Sequence, residues 1–281
     1  MKEIDYNQIV NSVEKLCIEA CCIQTDDIKK AFNNAKENES SPLGKNILEK
    51  LIENGKISEQ NMIPICQDTG MSVVFVELGQ DVRIVGGYLE DAINEGIKNG
   101  YVNGYLRKSV VNDPLYERKN TTNNTPAVIH TRIIKGDKLK LKVAAKGFGS
   151  ENKSLLKMLV PADGIDGVKA FFKEAINLAG PNACPPLVVG VGIGGTMEKA
   201  ALLAKEAAIR NIDSKNKDER YAKLEDELLE IANKSGVGPQ GLGGNITAFA
   251  VNVEWYPTHI AGLPVAININ CHAARHSEIE L

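Results

Sequence analysis

Cysteine pairs of the C-x2-C kind are missing from this chain. It has six cysteines in 281 residues, yet no C-x2-C knuckle sets two thiolates at neighbouring tetrahedral corners, the close pairing that structural zinc sites usually use. Aromatic residues supply only 5% of the chain, with one tryptophan. Any core must therefore be packed from Val, Ile, Leu and Ala. The longest apolar run, Pro185 to Ile193, falls far short of the ~20 residues that span a bilayer. A net charge of −3 with mixed signs leaves no basic patch for nucleic acid or for an anionic membrane. The polar start, Met1-Lys-Glu-Ile-Asp5, is not a secretory leader. With its cysteine count, it argues against disulfides and for a reducing, cytoplasmic compartment.

What the chain does have is three widely spaced cysteines in tight loop settings. Cys66 lies in Pro64-Ile-Cys-Gln-Asp-Thr-Gly70, Cys184 in Gly180-Pro-Asn-Ala-Cys-Pro-Pro186, and Cys271 in Asn270-Cys-His-Ala-Ala-Arg-His276. Pro, Gly or Asn hem in each thiol, a setting that holds a thiolate rigidly for ligation. A soft thiolate set favours zinc or an iron–sulfur cluster. Three lone cysteines suit a [4Fe–4S] cube in which three irons are pinned and the fourth is left open as a Lewis acid. The other cysteines have a different setting. Cys17, Cys21 and Cys22 fall in a segment of helical apolar spacing, with Cys17 and Cys21 on the face of Val13, and read as small buried hydrophobes.

The periodicity predicts helices over about 4–22, 26–36 and 42–54, then a strand at 72–78 and a helix over about 83–100. A polar excursion covers 113–126. Strands follow at about 127–134 and 138–145, joined by a hairpin signal at Lys135-Gly-Asp137. Helix 165–178, strand 186–191, helices 196–209 and 218–234, and strands 246–254 and 263–270 complete the reading. No repeat or linker appears. The expectation is a single α/β domain over 1–281, a mixed β-sheet with flanking helices and a helical N-terminal segment (about 1–60). Gly190-Val-Gly-Ile-Gly-Gly195 matches the dinucleotide fingerprint, but the following helix runs into charged residues where a second strand and its ribose-binding acid belong. These glycines instead serve a tight turn, or an anion site at a helix N-terminus. A nicotinamide-binding module and a zinc-bound structural protein remain the alternatives from other functional classes.

Five motifs together resemble the alpha subunit of the two-subunit class I, iron–sulfur fumarases, which are related to L-tartrate dehydratase. They are Ile65-Cys-Gln-Asp-Thr-Gly70, Lys146-Gly-Phe-Gly-Ser-Glu-Asn-Lys153, Asn182-Ala-Cys-Pro-Pro186, Gly238-Pro-Gln-Gly-Leu-Gly-Gly-Asn245 and Asn270-Cys-His-Ala-Ala274. The resemblance covers nearly the whole chain. It implies that Cys66, Cys184 and Cys271 hold a [4Fe–4S] cluster, and that Gln67, Asp68, Arg107 and the Gly147–Lys153 loop contact a dicarboxylate. The activity it implies is reversible hydration of fumarate to (S)-malate, with L(+)-tartrate dehydration as the alternative.

The chemistry of these residues agrees with the resemblance and leaves choices open. Asp68, two residues from a ligand cysteine, is placed to accept a proton or orient water, or else closes an Asx-type turn. Arg107 offers a planar fork for a carboxylate, or is a solvated surface residue. Ser150, Asn152 and Lys153 offer a hydroxyl, an amide and an ammonium to a second carboxylate, or form an ordinary polar loop. His259 offers an imidazole and is either a catalytic group or a hydrogen-bonded structural histidine. His272 packs beside the cluster, and His130 is structural. The resemblance also implies a beta subunit. In fused relatives a further domain follows the third cysteine, and here ten residues follow Cys271, the last being Leu281.

Overall fold

The computed structural model describes residues 2–281. In chain order its elements are β1 (Lys2–Asp5), α1 (Tyr6–Cys22), α2 (Asp26–Asn38), α3 (Pro42–Asn61), β2 (Met71–Gly79), β3 (Val82–Val85), α4 (Leu89–Asn103), β4 (Val128–Ile134) and β5 (Leu139–Lys146). They continue as α5 (Phe148–Glu151), β6 (Leu155–Leu159), α6 (Gly164–Ala179), β7 (Leu187–Gly194), α7 (Met197–Ala207), α8 (Glu219–Asn233), β8 (Ala248–Tyr256), β9 (Leu263–Asn270) and β10 (His276–Glu280). The class is the expected one: mixed sheets, flanking helices and a helical N-terminal segment. The chain divides into two compact units. The first unit comprises Met1–Thr25, Asn54–Phe148 and Arg275–Leu281, and the second Asp26–Glu53 and Gly149–Ala274. The chain passes between them four times, so no single boundary marks the sequence. No helix among the described residues is long and apolar enough to cross a membrane.

In the first unit the sheet order is β10-β5-β2-β4, with β4 parallel to β2 and the other pairs antiparallel. The Lys135–Asp137 turn is therefore not a hairpin between neighbours. It crosses the end of β2, where Gly79 leaves room; a Cβ there would stand 2.5 Å from the Gly136 carbonyl. Helices α1 and α4 pack closely, because side chains at Gly96 and Gly100 would meet Val13 and Cys17 at 2.6 Å. Val13, Leu16, Ile93, Ile97 and Tyr101 join Val74, Val76, Leu141 and Val143 of the sheet in one core. Each fully buried aliphatic side chain of this kind contributes about 1.5–3 kcal/mol. The expected helix from residue 83 begins instead at Leu89, since Val82-Arg-Ile-Val85 pairs with β1 as a short parallel ribbon.

The second unit holds the sheet β6-β9-β7-β8, with β7 parallel to β8 and antiparallel to β9. Every residue of β7 is buried, so both faces are covered. The period-2 alternation sorts them. Val189 and Val191 join the core that includes Phe172 and Ile176 of α6 and Leu228 of α8. Gly190 and Gly192 face α7, where a Cβ would lie 1.9 Å from the Ala204 carbonyl and 2.0 Å from that of Ala200. The glycine run thus permits close helix–strand packing, and the space a dinucleotide needs at those positions is filled by helix backbone.

Candidate active site

In the first unit the Cys66 loop is fixed by its own backbone. Ile65 N donates to the Cys21 carbonyl at 3.0 Å, and Asn54 Nδ2 donates to the Ile65 carbonyl at 2.8 Å. The Thr69 hydroxyl donates to the Arg107 carbonyl at 2.9 Å, and the buried Tyr101 hydroxyl donates to the Thr69 carbonyl at 2.7 Å. Gly70 has φ +69°, and a Cβ there would stand 2.3 Å from the Lys146 carbonyl, so only glycine fits. Asp68 is held at both oxygens: Oδ1 accepts from Gly70 N and Oδ2 from Phe148 N, each at 3.0 Å. The Asx-type turn therefore exists, and it fixes the carboxylate's orientation. Asp68 N points at Cys66 Sγ at 3.4 Å, and the thiol faces Gln67 Oε1 at 3.4 Å.

Gly147 belongs to this neighbourhood because a side chain there would meet Arg275 Nη2 at 2.5 Å and Asp68 Oδ2 at 3.2 Å. Arg275 is 4% exposed, with Nε donating to the Ala145 carbonyl at 3.1 Å. Sequence reasoning passed over this buried cation beside the candidate acid. It also passed over Asn124, fully buried within the polar excursion. The Asn124 amide accepts from Ser109 N at 2.7 Å and donates to the Gly70 carbonyl at 3.2 Å, tying the Arg107 segment to the cysteine loop.

In the second unit, strand register brings two cysteines together. Val188 of β7 pairs with Asn270 of β9, so the loops carrying Cys184 and Cys271 lie side by side. His272 N donates to the Cys184 carbonyl at 3.2 Å, and His272 Nδ1 lies 3.0 Å from the same oxygen. Cys184 is left-handed (φ 55°, ψ 65°) and exposed. The Gly149 turn runs alongside, 3.7 Å from the Asn182 carbonyl at the Cβ position. Ser150 is buried, Asn152 exposed and Lys153 half-buried, with Lys153 N donating to the Ser150 carbonyl at 3.1 Å. Glu151 anchors this turn through Lys205 Nζ and through Asn268 Nδ2, the latter at 3.0 Å.

His259 goes elsewhere. It is exposed in the β8–β9 connection, accepting from Ala261 N at 3.2 Å, and neighbouring Thr258 donates to the Gly195 carbonyl at 2.8 Å. That is the opposite end of β7 from Cys184, ~25 Å away at ~3.3 Å per residue. The strands place His259 away from the loops of Cys184 and Cys271. Among the described residues no three His, Cys, Asp or Glu side chains are grouped to hold a metal ion; Cys66 belongs to the first unit and the other two loop cysteines to the second.

The buried cysteines form a separate class. Cys17, Cys21 and Cys22 are at most 1% exposed. Burial pushes the Cys21 thiol up to about 12 and the Cys17 thiol well above its ordinary value, and raises Cys22 as well. A thiol that resists ionisation is a poor ligand.

The family model described as fumarate hydratase (Fumerase) matches residues 10–280. A Methanocaldococcus jannaschii chain with the provisional name L(+)-tartrate dehydratase subunit alpha is 42% identical over 277 residues, 96% of either chain. The L(+)-tartrate dehydratase subunit alpha of Escherichia coli K12 is 32% identical over 285 residues, 99% of this chain and 94% of its own. That of strain UTI89 is 32% identical over 287 residues, 100% of this chain and 94% of its own.

Proposed function

The chain belongs to the fumarate hydratase (Fumerase) family, and on that premise we propose that it is the alpha subunit of an iron–sulfur hydro-lyase converting fumarate and (S)-malate. The observation that carries the reading is the division of the thiols: three sealed in a helix, three at loop surfaces. The donor set fits the cluster. Cys66, Cys184 and Cys271 are soft, reachable thiols, and the Asp68 N–H aimed at Cys66 Sγ is the kind of amide donor that stabilises a cluster thiolate. When bound, the [4Fe–4S] group supplies Lewis-acid charge stabilisation at an iron with no protein thiolate.

The remaining work falls to the chain's own side chains. Asp68, oriented by two backbone amides, accepts a proton or orients water. Arg107 supplies a forked donor for one carboxylate, Gln67 and Gly147 add contacts to the same dicarboxylate, and Ser150, Asn152 and Lys153 take the second carboxylate. A dianion and a weakly acidic C–H need more neutralising groups than these. A beta subunit completes the site, in keeping with the alpha designation of the relatives. An exposed cluster also suits a reducing, cytoplasmic compartment.

A second reading, L(+)-tartrate dehydration, is favoured by the names of those same relatives. The test is an anaerobic assay of the enzyme with its partner subunit on fumarate, malate and both tartrate enantiomers, alongside iron, sulfide and zinc analysis. Fumarate–malate turnover with iron and sulfide present supports the first reading. Turnover of tartrate alone supports the second. Zinc, or neither metal nor sulfide, sinks both.

A further inference from the structure

The segment Gly238-Pro-Gln-Gly-Leu-Gly-Gly-Asn245 contributes no residue to the site described so far, yet one of its side chains reaches the cysteine loops. Gln240 Nε2 donates to the Pro185 carbonyl at 2.7 Å and lies 3.1 Å from His272 Nδ1. Its backbone N donates to the same carbonyl at 2.8 Å. Next to it, Gly241 sits so close to Pro181 that a Cβ would approach the proline Cβ to 2.1 Å. The His272 ring, with its edge on Phe32 at a centroid distance of 6.3 Å, faces the Cys184 carbonyl through Nδ1 at 3.0 Å. Cys184 and Gln240 are both non-glycine residues in the left-handed region, at φ 55° and 52°. Such conformations persist where the surroundings over-determine them.

The geometry points to Gln240 and His272 as positioning residues that set the spacing of the Cys184 and Cys271 thiolates. Pro185 follows one of these cysteines and His272 the other, so a side chain bonded to both fixes one loop against its neighbour. Backbone pairing of β7 with β9 aligns the strands but stops at Val188 and Asn270. Beyond that point the closure depends on His272 N–H, the His272 ring and the Gln240 amide. The inference rests on the proposal that these thiolates hold a [4Fe–4S] cluster.

The test uses the full chain, reconstituted anaerobically with its partner subunit, as wild type and as Gln240→Met, His272→Leu and His272→Asn. Gln240→Met keeps the side-chain length and the backbone bond to Pro185 while removing the amide. His272→Asn puts an amide nitrogen where Nδ1 was, and His272→Leu does not. The readouts are iron and sulfide content, the visible circular dichroism of the cluster, and the rate of iron loss to a chelator. Far-ultraviolet circular dichroism confirms that each variant is folded.

Outer-shell substitutions at metal sites typically cost about 10–100-fold in affinity. Iron loss is therefore expected to be about 10-fold faster in Gln240→Met and His272→Leu, with an altered visible spectrum, and near wild type in His272→Asn. Wild-type spectra and rates in both Gln240→Met and His272→Leu overturn the inference alone, leaving the cluster reading intact. A wild-type protein that takes up neither iron nor sulfide overturns both.

Discussion

Helix α1 and the three loops carry the same functional group to opposite ends. In α1, Cys17, Cys21 and Cys22 are sealed in or beside the first unit's core, where they pack as small apolar side chains and burial disfavours their ionisation. In the loops, Cys66, Cys184 and Cys271 are half-buried or exposed, and backbone hydrogen bonds fix the segments around them. The difference teaches that ligand capacity resides in the setting of a thiol. A helix provides i, i+4 neighbours and burial. A loop closed by proline, glycine and asparagine provides a fixed backbone with the thiol left open.

The sharpest way to break this comparison is substitution. Cys66→Ser, Cys184→Ser and Cys271→Ser are each expected to abolish iron and sulfide retention while leaving the fold intact. Cys17→Ser is expected to do the reverse: the cluster is kept, but a buried hydroxyl without a partner costs about 1–3 kcal/mol of stability. Iron analysis and denaturant unfolding, run on the same preparations, give both answers. Full iron content in Cys184→Ser would remove it from the ligand set.

Alkylation compares the two groups without mutation. A thiol held at about 12 carries ~1,000-fold less thiolate at pH 8 than an ordinary thiol near 8.5, and burial denies reagent access as well. Iodoacetamide should therefore label Cys66, Cys184 and Cys271 in the cluster-free protein and leave Cys17 and Cys21 untouched. Reconstitution should then protect the loop thiols. Peptide mass spectrometry reads each site, and labelling of Cys21 at the rate of Cys184 would erase the distinction.

Much of this was legible in the sequence because the signals are local. The loop cysteines declare themselves through Pro64, Gly70, Pro181 and Pro185, and the buried ones through their spacing from Val13. Strong periodicity located α6, α7 and α8. Edge strands β6 and β10 were not legible, since their alternation is only partly apolar and one side faces solvent. Nor was the pairing of Cys184 with Cys271, which depends on the β7–β9 register across some eighty residues. The same register decides that His259 lies at the far end of β7. Gln240, Asn124 and Arg275 act through buried or half-buried hydrogen bonds to backbone carbonyls, and nothing in their immediate sequence marks such partners.

The smallest expected effect is an alkaline one, and its sign follows from burial. The Cys21 thiol keeps its proton up to about 12 in the folded protein, whereas an unfolded cysteine releases it near 8.5. Below the unfolded value both states hold the proton, and the stabilisation is fully present. As pH rises above 8.5 the unfolded chain binds fewer protons than the folded one, so stability is lost progressively until the folded thiol titrates. The slope approaches ~1.4 kcal/mol per pH unit for each such thiol. Cys17 acts in the same direction, and so does Tyr101, which burial raises well above 10. Their contributions are common to wild type and Cys21→Ala, and the difference between the two proteins isolates Cys21. Urea unfolding of the cluster-free chain at pH 8, 9 and 10 should show Cys21→Ala losing less stability across the series than wild type. Parallel pH dependences would mean that Cys21 ionises as readily folded as unfolded, and helix α1 would then lose its contrast with the loops.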